Sequence, residues 1–313
     1  MSGFADRLID RGLLLRSHVI VGLDPSVEKF PRFLQDQLRA EPTESCLEET
    51  IFAFNRVVIE AVERHVVGFK PQAAFYEQYG LAGFKALQRT LILLRERDLL
   101  IIMDAKRNDV SHTAGAYATA WLAPHHPLFK TPNLLQSDAL TVNGYLGSDG
   151  VWPFLEVNPQ AGLFVLAKTS NPSSGELQDL PLAAGGSVAE KMAELAHAWG
   201  RVVIGEHGYS NIGLVVGATY PEVATRLRQL APQALFLMPG IGVQGGALDA
   251  IAAAAGKDHV GAYAASSRGV LYPFQPDELS DSHWRSLAMQ RIEQAAIDLK
   301  EAILNLVPFG QKR

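Results

Sequence analysis

Eight short apolar runs recur along the chain, and stretches with helical spacing separate them. Nearly every position in these runs is apolar, which is typical of parallel strands covered on both faces. A representative helical stretch spans residues 48–64, where Ile51, Phe54, Val58 and Val62 follow at spacings of three or four. The predicted strands are His18–Leu23, Val66–Phe69, Leu99–Met103, Ala139–Val142, Gly162–Ala167, Asn211–Val216, Leu235–Met238 and Val260–Ala264.

The alternation of strand and helix predicts the fold. Eight parallel βα units close most simply into a (β/α)8 barrel, and an open doubly wound sheet is the alternative. No Ser-, Pro- or Gly-rich linker divides the 313 residues, so we expect a single domain over 1–313. Polar stretches at 38–50, 124–138 and 171–186 predict insertions in loops.

Local patterns also predict where helices begin. A Ser or Thr followed three residues later by Glu is the pattern of an N-terminal capping box. The pattern occurs at Ser45, Ser187 and Thr219, and it predicts three helix starts. The last helix is predicted over His283–Leu306.

Polar side chains follow the predicted strands at their carboxyl ends, where the active sites of such barrels lie. These positions are Asp24, Lys70, Asp104, Lys106, Asn143, 168–171 and 266–268. One polar residue at a strand end is ordinary because it reaches solvent. Here charges of both signs converge on one rim, which favours a binding or catalytic site.

The densest cluster is the string Asp-Ala-Lys-Arg-Asn-Asp at 104–109. In extended chain Asp104 and Lys106 point to the same side, while Asp109 lies near the start of the next helix and Thr113 one turn further. A lysine held between carboxylates stays charged and oriented, and it can deliver a proton to a carbanion. A surface salt-bridge cluster is the alternative and would contribute little. The position at a strand end favours catalysis.

A second candidate site follows the seventh and eighth strands. The segment 240–245 matches G-x-G-x-x-G, which is a weak signal alone. A dinucleotide site would place it in the opening βα unit with an acid about 20 residues further on, and neither holds here. Barrels often bind phosphate with the loops after strands seven and eight. Glycine amides and the forked guanidinium of Arg268 therefore predict a phosphate site.

Composition narrows the class of protein. The net charge of −5 excludes a generally basic nucleic-acid binder. No apolar run approaches the length of a membrane helix, and early charges argue against a signal peptide. The single cysteine, Cys46, excludes an internal disulfide and a cysteine-rich metal site. We therefore expect a cytoplasmic protein without nucleic-acid or membrane partners and without a metal.

Taken together, the motifs resemble the orotidine 5′-phosphate decarboxylase family, in particular its longer bacterial branch. The string at 104–109 is similar to the third-strand motif of that family. Further similar segments are Val21–Pro25 and Phe69–Pro71 on the first two strands, Lys168–Pro172 after the fifth, and Pro239–Gly242 and Ser267–Gly269 at the phosphate. The resemblance covers essentially the whole predicted barrel.

The resemblance implies a cofactor-free conversion of orotidine 5′-monophosphate into uridine 5′-monophosphate and CO₂. It implies the catalytic residues Lys70, Asp104, Lys106 and Asp109, with Lys106 stabilising and protonating a carbanion. The implied substrate-binding residues are Asp24 at the ribose, Ser170 at the pyrimidine, Gln244, Ser267 and Arg268 at the phosphate, and Val110 and Thr113. It also implies a homodimer with shared sites, in which Asp109 and Thr113 reach the partner's site.

Two other functions stay open. A metal-dependent sugar-phosphate lyase or decarboxylase of the same superfamily shares Asp-x-Lys-x-x-Asp, but it carries an acidic residue where Lys70 stands. A lysine there disfavours a divalent cation. A non-catalytic sensor of a phosphate ligand is the second alternative, and it would not need Asp104, Lys106 and Asp109 together.

Overall fold

A computed structural model describes residues 2–128, 130–241 and 248–309, and its centre is one parallel sheet. The strands are β1 Val19–Leu23, β2 Gly68–Pro71, β3 Ile102–Arg107, β4 Ala139–Val142, β5 Gly162–Lys168, β6 Ser210–Val216, β7 Ala234–Pro239 and β8 Ala262–Ser266. Their order is β2-β1-β8-β7-β6-β5-β4-β3. Isolated parallel bridges, Phe69 to Ile101 and Gln72 to Asp104, join the two end strands. The sheet therefore forms a nearly closed barrel, which confirms the predicted (β/α)8 fold and excludes the open sheet.

Helices lie before the first strand, between successive strands and after the last strand. They are α1 Phe4–Leu15, α2 Arg32–Ala40, α3 Glu44–Val62, α4 Ala74–Glu77, α5 Gly80–Glu96, α6 Ser111–Leu122, α7 Trp152–Val157, α8 Gly175–Gln178, α9 Val188–Gly200, α10 Pro221–Leu230, α11 Leu248–Ala254, α12 Arg268–Leu271 and α13 Trp284–Leu306. The prediction of the last helix is confirmed to within one residue. No helix in the three described ranges is long and apolar enough to cross a membrane.

The barrel has one plugged end and one open end. Its interior is filled by strand residues such as Ile20, Ile102 and Leu235. Phe4 of α1 reaches the same cluster and packs edge-on against Phe164, with ring centroids 5.8 Å apart. Helix α1 thus covers the amino ends of the strands. The cavity lies at the opposite end, where the strands finish.

Several strands and helices begin or end at residues other than those predicted from the sequence. β3 begins three residues later than predicted and continues through the charged segment to Arg107, because strand hydrogen bonding does not require apolar side chains. The predicted insertion at 38–50 is wrong, since α2 ends at Ala40 and α3 begins at Glu44.

The three predicted helix starts have different outcomes. Ser187 caps α9 as predicted, and its hydroxyl accepts a hydrogen bond from the Glu190 amide at 3.2 Å. The start at Ser45 is wrong because Thr43 accepts from the amide of Cys46 at 3.1 Å. The start at Thr219 is also wrong, since α10 begins at Pro221, whose missing N–H suits the first helical turn.

Candidate active site

The open end of the barrel holds a cavity of about 890 Å³. The predicted site residues that line it are Asp24, Lys70, Asp104, Lys106, Ser170, Ser267 and Arg268. They come from the carboxyl ends of β1, β2, β3, β5 and β8, which are far apart in sequence. The barrel therefore brings together most of the residues that the strand-end pattern selected.

A Lys–Asp–Lys triad forms the charged centre of this cavity. Lys70 Nζ lies 2.7 Å from Asp104 Oδ2, and Lys106 Nζ lies 2.7 Å from Asp104 Oδ1. The side chains of Lys70 and Asp104 are only 6% and 10% exposed, whereas that of Lys106 is 43% exposed. Lys106 is therefore the more accessible of the two cations in the triad.

The charges of the triad stabilise one another. Burial alone raises the pKa of Asp104, but Lys70 and Lys106 outweigh burial and hold that pKa well below its usual range. Burial lowers the pKa of Lys70, but Asp104 and Asp24 outweigh it and raise that pKa. The site therefore carries an ionised carboxylate and a charged buried lysine at neutral pH.

A bulge in β3 shapes the triad. Met103 pairs with Leu140 and Arg107 with Val142, so Asp104–Lys106 face a single residue of β4. The expectation of a fully extended chain is wrong at Lys106, whose φ of 48° lies in the left-handed region. The bulge accommodates the additional residues, and the Lys106 ammonium still meets the Asp104 carboxylate.

Asp24 lies beside the triad with an available oxygen. Its Oδ1 is buried and accepts no hydrogen bond from the described residues. The segment that follows is fixed by Tyr272, whose hydroxyl donates to the Asp24 carbonyl at 2.9 Å and accepts from the Ser26 amide at 3.0 Å. A buried carboxylate oxygen without a donor is suited to a hydroxyl group of a bound molecule.

The loop after β5 is fastened to the barrel. Lys168 is 2% exposed and pairs with Asp179 at 2.6 Å, which indicates a structural role for this lysine. Gln178 accepts from the Thr169 amide at 2.9 Å and donates to its hydroxyl at 2.8 Å. A Cβ at Gly217 would lie 2.7 Å from the Ser170 nitrogen. The close fit of this loop fixes Ser170 at the cavity.

The predicted phosphate segment is described in part. Ser267 ends the turn after β8, and Arg268 begins α12. Arg268 is exposed and forms no salt bridge with any other described residue, which leaves its guanidinium free for an anion. Gln244, with the glycines at 242 and 245, lies outside the described residues.

Three predicted residues do not line the cavity of their own chain. They are Asp109, Val110 and Thr113. Asp109 Oδ1 accepts from the Val110 amide at 2.8 Å, and Val110 is 58% exposed. Within the described chain Lys106 pairs with Asp104 and has no ion pair with Asp109, so the lysine lies next to one carboxylate rather than between two.

Sequence reasoning missed other residues at the cavity. Lys29, Gln72, Phe75, Thr141, Gln178 and Tyr272 also line it. Gln72 lies two residues beyond Lys70, so the strand-end pattern could have included it. Thr141 lies within an apolar run, and no local signal distinguishes it from a core residue. The described ranges contain no group of three or more His, Cys, Asp or Glu side chains that could hold a metal.

The fold and the site define a (β/α)8 barrel with a charged cavity at the carboxyl ends of its strands, which is where barrel enzymes carry their active sites. A sequence model of the orotidine 5′-phosphate decarboxylase / HUMPS family matches residues 17–276. The chain belongs to this family.

Named relatives match over nearly their full length. The orotidine 5′-phosphate decarboxylase of Caldicellulosiruptor bescii is 40% identical over 300 residues, covering 94% of this chain and 98% of the relative. That of Rhodopirellula baltica is 38% identical over 305 residues, covering 97% and 99%. The solved structure of Leishmania donovani OMP decarboxylase has a TM-score of 0.72 and 32% identity, covering 99% of this chain and all of that one.

Proposed function

We propose that this protein is a carboxy-lyase that converts orotidine 5′-monophosphate into uridine 5′-monophosphate and CO₂. The observation that carries the proposal is the Lys70–Asp104–Lys106 triad at the mouth of the barrel. The family and the named relatives supply the substrate. The triad supplies the chemistry.

Lys106 would stabilise and then protonate the carbanion that this reaction forms. When the bond to CO₂ breaks, its electron pair stays on the ring carbon, in the plane of the pyrimidine, where no carbonyl delocalises it. The charge must therefore be stabilised by a nearby cation and then neutralised by a proton. The partly exposed Lys106 ammonium does both, and the neutral amine then regains its proton from solvent.

Asp104 and Lys70 set the electrostatics around Lys106. The ionised Asp104 would face the carboxylate of the substrate, and two such charges about 4 Å apart repel by roughly 4 kcal/mol at an effective dielectric near 20. Complete relief of that repulsion would account for about a thousandfold in rate. Large enzymatic accelerations exceed this, so stabilisation of the carbanion by Lys106 is the larger effect.

The remaining cavity residues would bind the rest of the nucleotide. The free Oδ1 of Asp24 would accept hydrogen bonds from the ribose, and Ser170 would contact the pyrimidine. Arg268, Ser267 and Gln244 would bind the phosphate. Binding energy from this remote group would help to order the loops around the base.

The site would be completed across a two-fold homodimer. Asp109 and Thr113 would enter the partner's cavity, with Val110 beside them. The 58% exposure of Val110 supports this, since an apolar side chain beside a charged site is well suited to an interface. A second exposed apolar residue, Leu146, adjoins the same segment. Leu146 and Asp109 both pack against Gly150, where an added Cβ would lie 3.0 Å from the Asp109 carbonyl oxygen and 3.3 Å from Leu146 Cβ.

Three further features belong to the proposal. The reaction would need neither cofactor nor metal, because Lys106 supplies both the charge and the proton. The whole chain would act as one barrel domain. We place the enzyme in the cytoplasm, because its substrate and product are charged nucleotides that a bilayer strongly disfavours.

A spectrophotometric assay tests the proposal directly. The absorbance change of orotidine 5′-monophosphate is followed with purified protein, with and without a chelator. We expect equal turnover in both samples. Chelator-sensitive turnover would favour the metal-dependent alternative, and tight nucleotide binding without turnover would favour the sensor.

A further inference from the structure

Thr141 contacts two members of the triad. It lies on β4 and is 1% exposed. Its hydroxyl accepts a hydrogen bond from the Lys106 backbone amide at 3.0 Å and donates one to Asp104 Oδ1 at 2.9 Å. Because an amide can only donate, the hydroxyl oxygen must accept there, and its one proton is left for the carboxylate. The direction of both bonds is therefore fixed.

The bulge explains why this hydroxyl is needed. Asp104–Lys106 face Thr141 alone, since the pairs on either side are Met103 with Leu140 and Arg107 with Val142. A bulge disrupts the backbone ladder, so its amides need other acceptors. The side chain of Thr141 provides one for Lys106. The left-handed φ of 48° at Lys106 is unfavourable for a residue with a Cβ, so neighbouring contacts must maintain it.

We propose that Thr141 is a positioning residue for the decarboxylation. It fixes Asp104 against rotation and holds Lys106 in its left-handed conformation. An entering substrate carboxylate would repel Asp104, whose simplest response is to turn away. Lys70 on Oδ2, and Thr141 with Lys106 on Oδ1, oppose that movement. This inference rests on the proposed function and adds a residue to it.

The test uses two substitutions at this position and one control. Thr141→Val keeps the shape of the side chain and removes both hydrogen bonds. Thr141→Ser retains the hydroxyl. Ser210→Ala is the matched control, because Ser210 is also buried, accepts from the Ile212 amide at 2.9 Å and donates to the Gly200 carbonyl at 2.9 Å, but at the amino end of β6.

The Thr141→Val substitution should lower turnover without weakening substrate binding. We expect kcat to fall roughly tenfold to a hundredfold, as for a small displacement of reacting groups. KM and the inhibition constant of uridine 5′-monophosphate, which lacks the carboxylate, should stay within about threefold. Thr141→Ser should recover most of kcat, and Ser210→Ala should lower only the unfolding temperature.

Two results would overturn the proposal in a folded variant. One is a Thr141→Val enzyme with kcat within about threefold of the unaltered protein. The other is equal damage in the valine and serine variants, since only the hydroxyl distinguishes them in this role.

A crystal structure of Thr141→Val gives a readout that does not depend on activity. We expect Asp104 to rotate or Lys106 to leave the left-handed region, and an unchanged triad would contradict the proposal. Failure of the proposed function shows separately, because the unaltered protein would then not consume orotidine 5′-monophosphate at all.

Discussion

Lys70 and Lys106 contact the same carboxylate but differ in what else they can reach. The side chain of Lys70 is 6% exposed and that of Lys106 is 43% exposed. Lys70 therefore serves to hold and neutralise Asp104, whereas Lys106 is available to a bound substrate. This difference in exposure supports the proposal that Lys106, rather than Lys70, transfers the proton.

Replacement of Lys106 tests that assignment. Lys106→Ala should reduce kcat by about a thousandfold or more, because it removes both the stabilising charge and the proton donor. The fold should persist, since Lys70 still neutralises Asp104. Steady-state kinetics and thermal unfolding measure the two effects. Lys191→Ala on the exposed face of α9 is the control, and a folded Lys106→Ala enzyme within tenfold of normal turnover would contradict the role.

Arg268 tests the phosphate site. Arg268→Ala should lower kcat/KM for orotidine 5′-monophosphate by roughly tenfold to a hundredfold, the loss expected for charged hydrogen bonds. The nucleoside orotidine has no phosphate, so its slower turnover should change little. Arg226→Ala on α10 serves as a surface control. Equal losses for nucleotide and nucleoside would mean that Arg268 acts through the structure.

The loop after β5 is held by one local contact and by one contact with a residue far from it in sequence. Lys168 and Asp179 fasten one side of the loop, and Gly217 after β6 allows its other side to approach the barrel. The atoms that a Cβ at Gly217 would meet are the Ser170 nitrogen at 2.7 Å and Cα at 2.9 Å. Both belong to the backbone, so a side chain there must displace the loop rather than rotate a side chain away.

Gly217→Ala should therefore damage the site more than the fold. We expect kcat/KM to fall roughly tenfold or more through displacement of Ser170, with a smaller effect on thermal unfolding. Kinetics and calorimetry on the same preparation check this. Unchanged kcat/KM would show that the position of this loop is unimportant for catalysis.

The complete molecule, as proposed, is a dimer whose two sites exchange Asp109 and Thr113. Lys106→Ala and Asp109→Ala homodimers should each be nearly inactive. In a mixed dimer one active site contains both substituted residues and the other contains neither. Random reassortment of equal amounts should restore roughly a quarter of normal activity, since half of the dimers are mixed and each has one intact site.

Co-refolding followed by activity assay and mass measurement of the dimers tests this prediction. Lys106→Ala refolded alone is the control for residual activity. If mixed dimers form without recovery of activity, Asp109 serves its own subunit.

His18, at the closed end of the barrel, should make the free energy of unfolding depend on pH. His18 is buried, its ring stacks on Phe309 at 4.0 Å, and its nitrogens lie 3.2 Å and 3.1 Å from the carbonyls of Ala262 and Val307. Burial lowers the pKa of His18 to about 4, although both carbonyls oppose the shift. Below an ordinary pKa of about 6.5 the unfolded chain takes up the proton first. Stability is therefore full above that pH and is lost as the pH falls towards 4.

Denaturant unfolding at two pH values measures this effect. Between pH 7 and 4.5 the contribution of His18 should fall by about 2 kcal/mol. His18→Gln should reduce the pH dependence of the free energy of unfolding by that amount. An identical pH dependence in the variant would contradict the prediction.

The sequence by itself determined the barrel and most of its charged mouth. Continuous apolar runs specify buried parallel strands, and polar residues directly after those runs must meet at one rim, so Asp24, Lys70 and Asp104 were predictable. Local capping was predictable only where one candidate hydroxyl was present, as at Ser187. Near Ser45 a second hydroxyl, that of Thr43, can also cap the helix. The sequence pattern does not distinguish the two, and in the structure Thr43 is the N-cap.

Only the tertiary structure decided how the triad is held. The bulge in β3, the left-handed Lys106 and its bond to Thr141 arise from pairing with a strand 35 residues further along the chain. The pairing of Lys168 with Asp179 and the fit of Ser170 over Gly217 likewise depend on loops whose paths carry no periodic signal. Hydrophobic periodicity reports burial along one element, whereas hydrogen bonds between elements depend on register, which the assembled sheet determines.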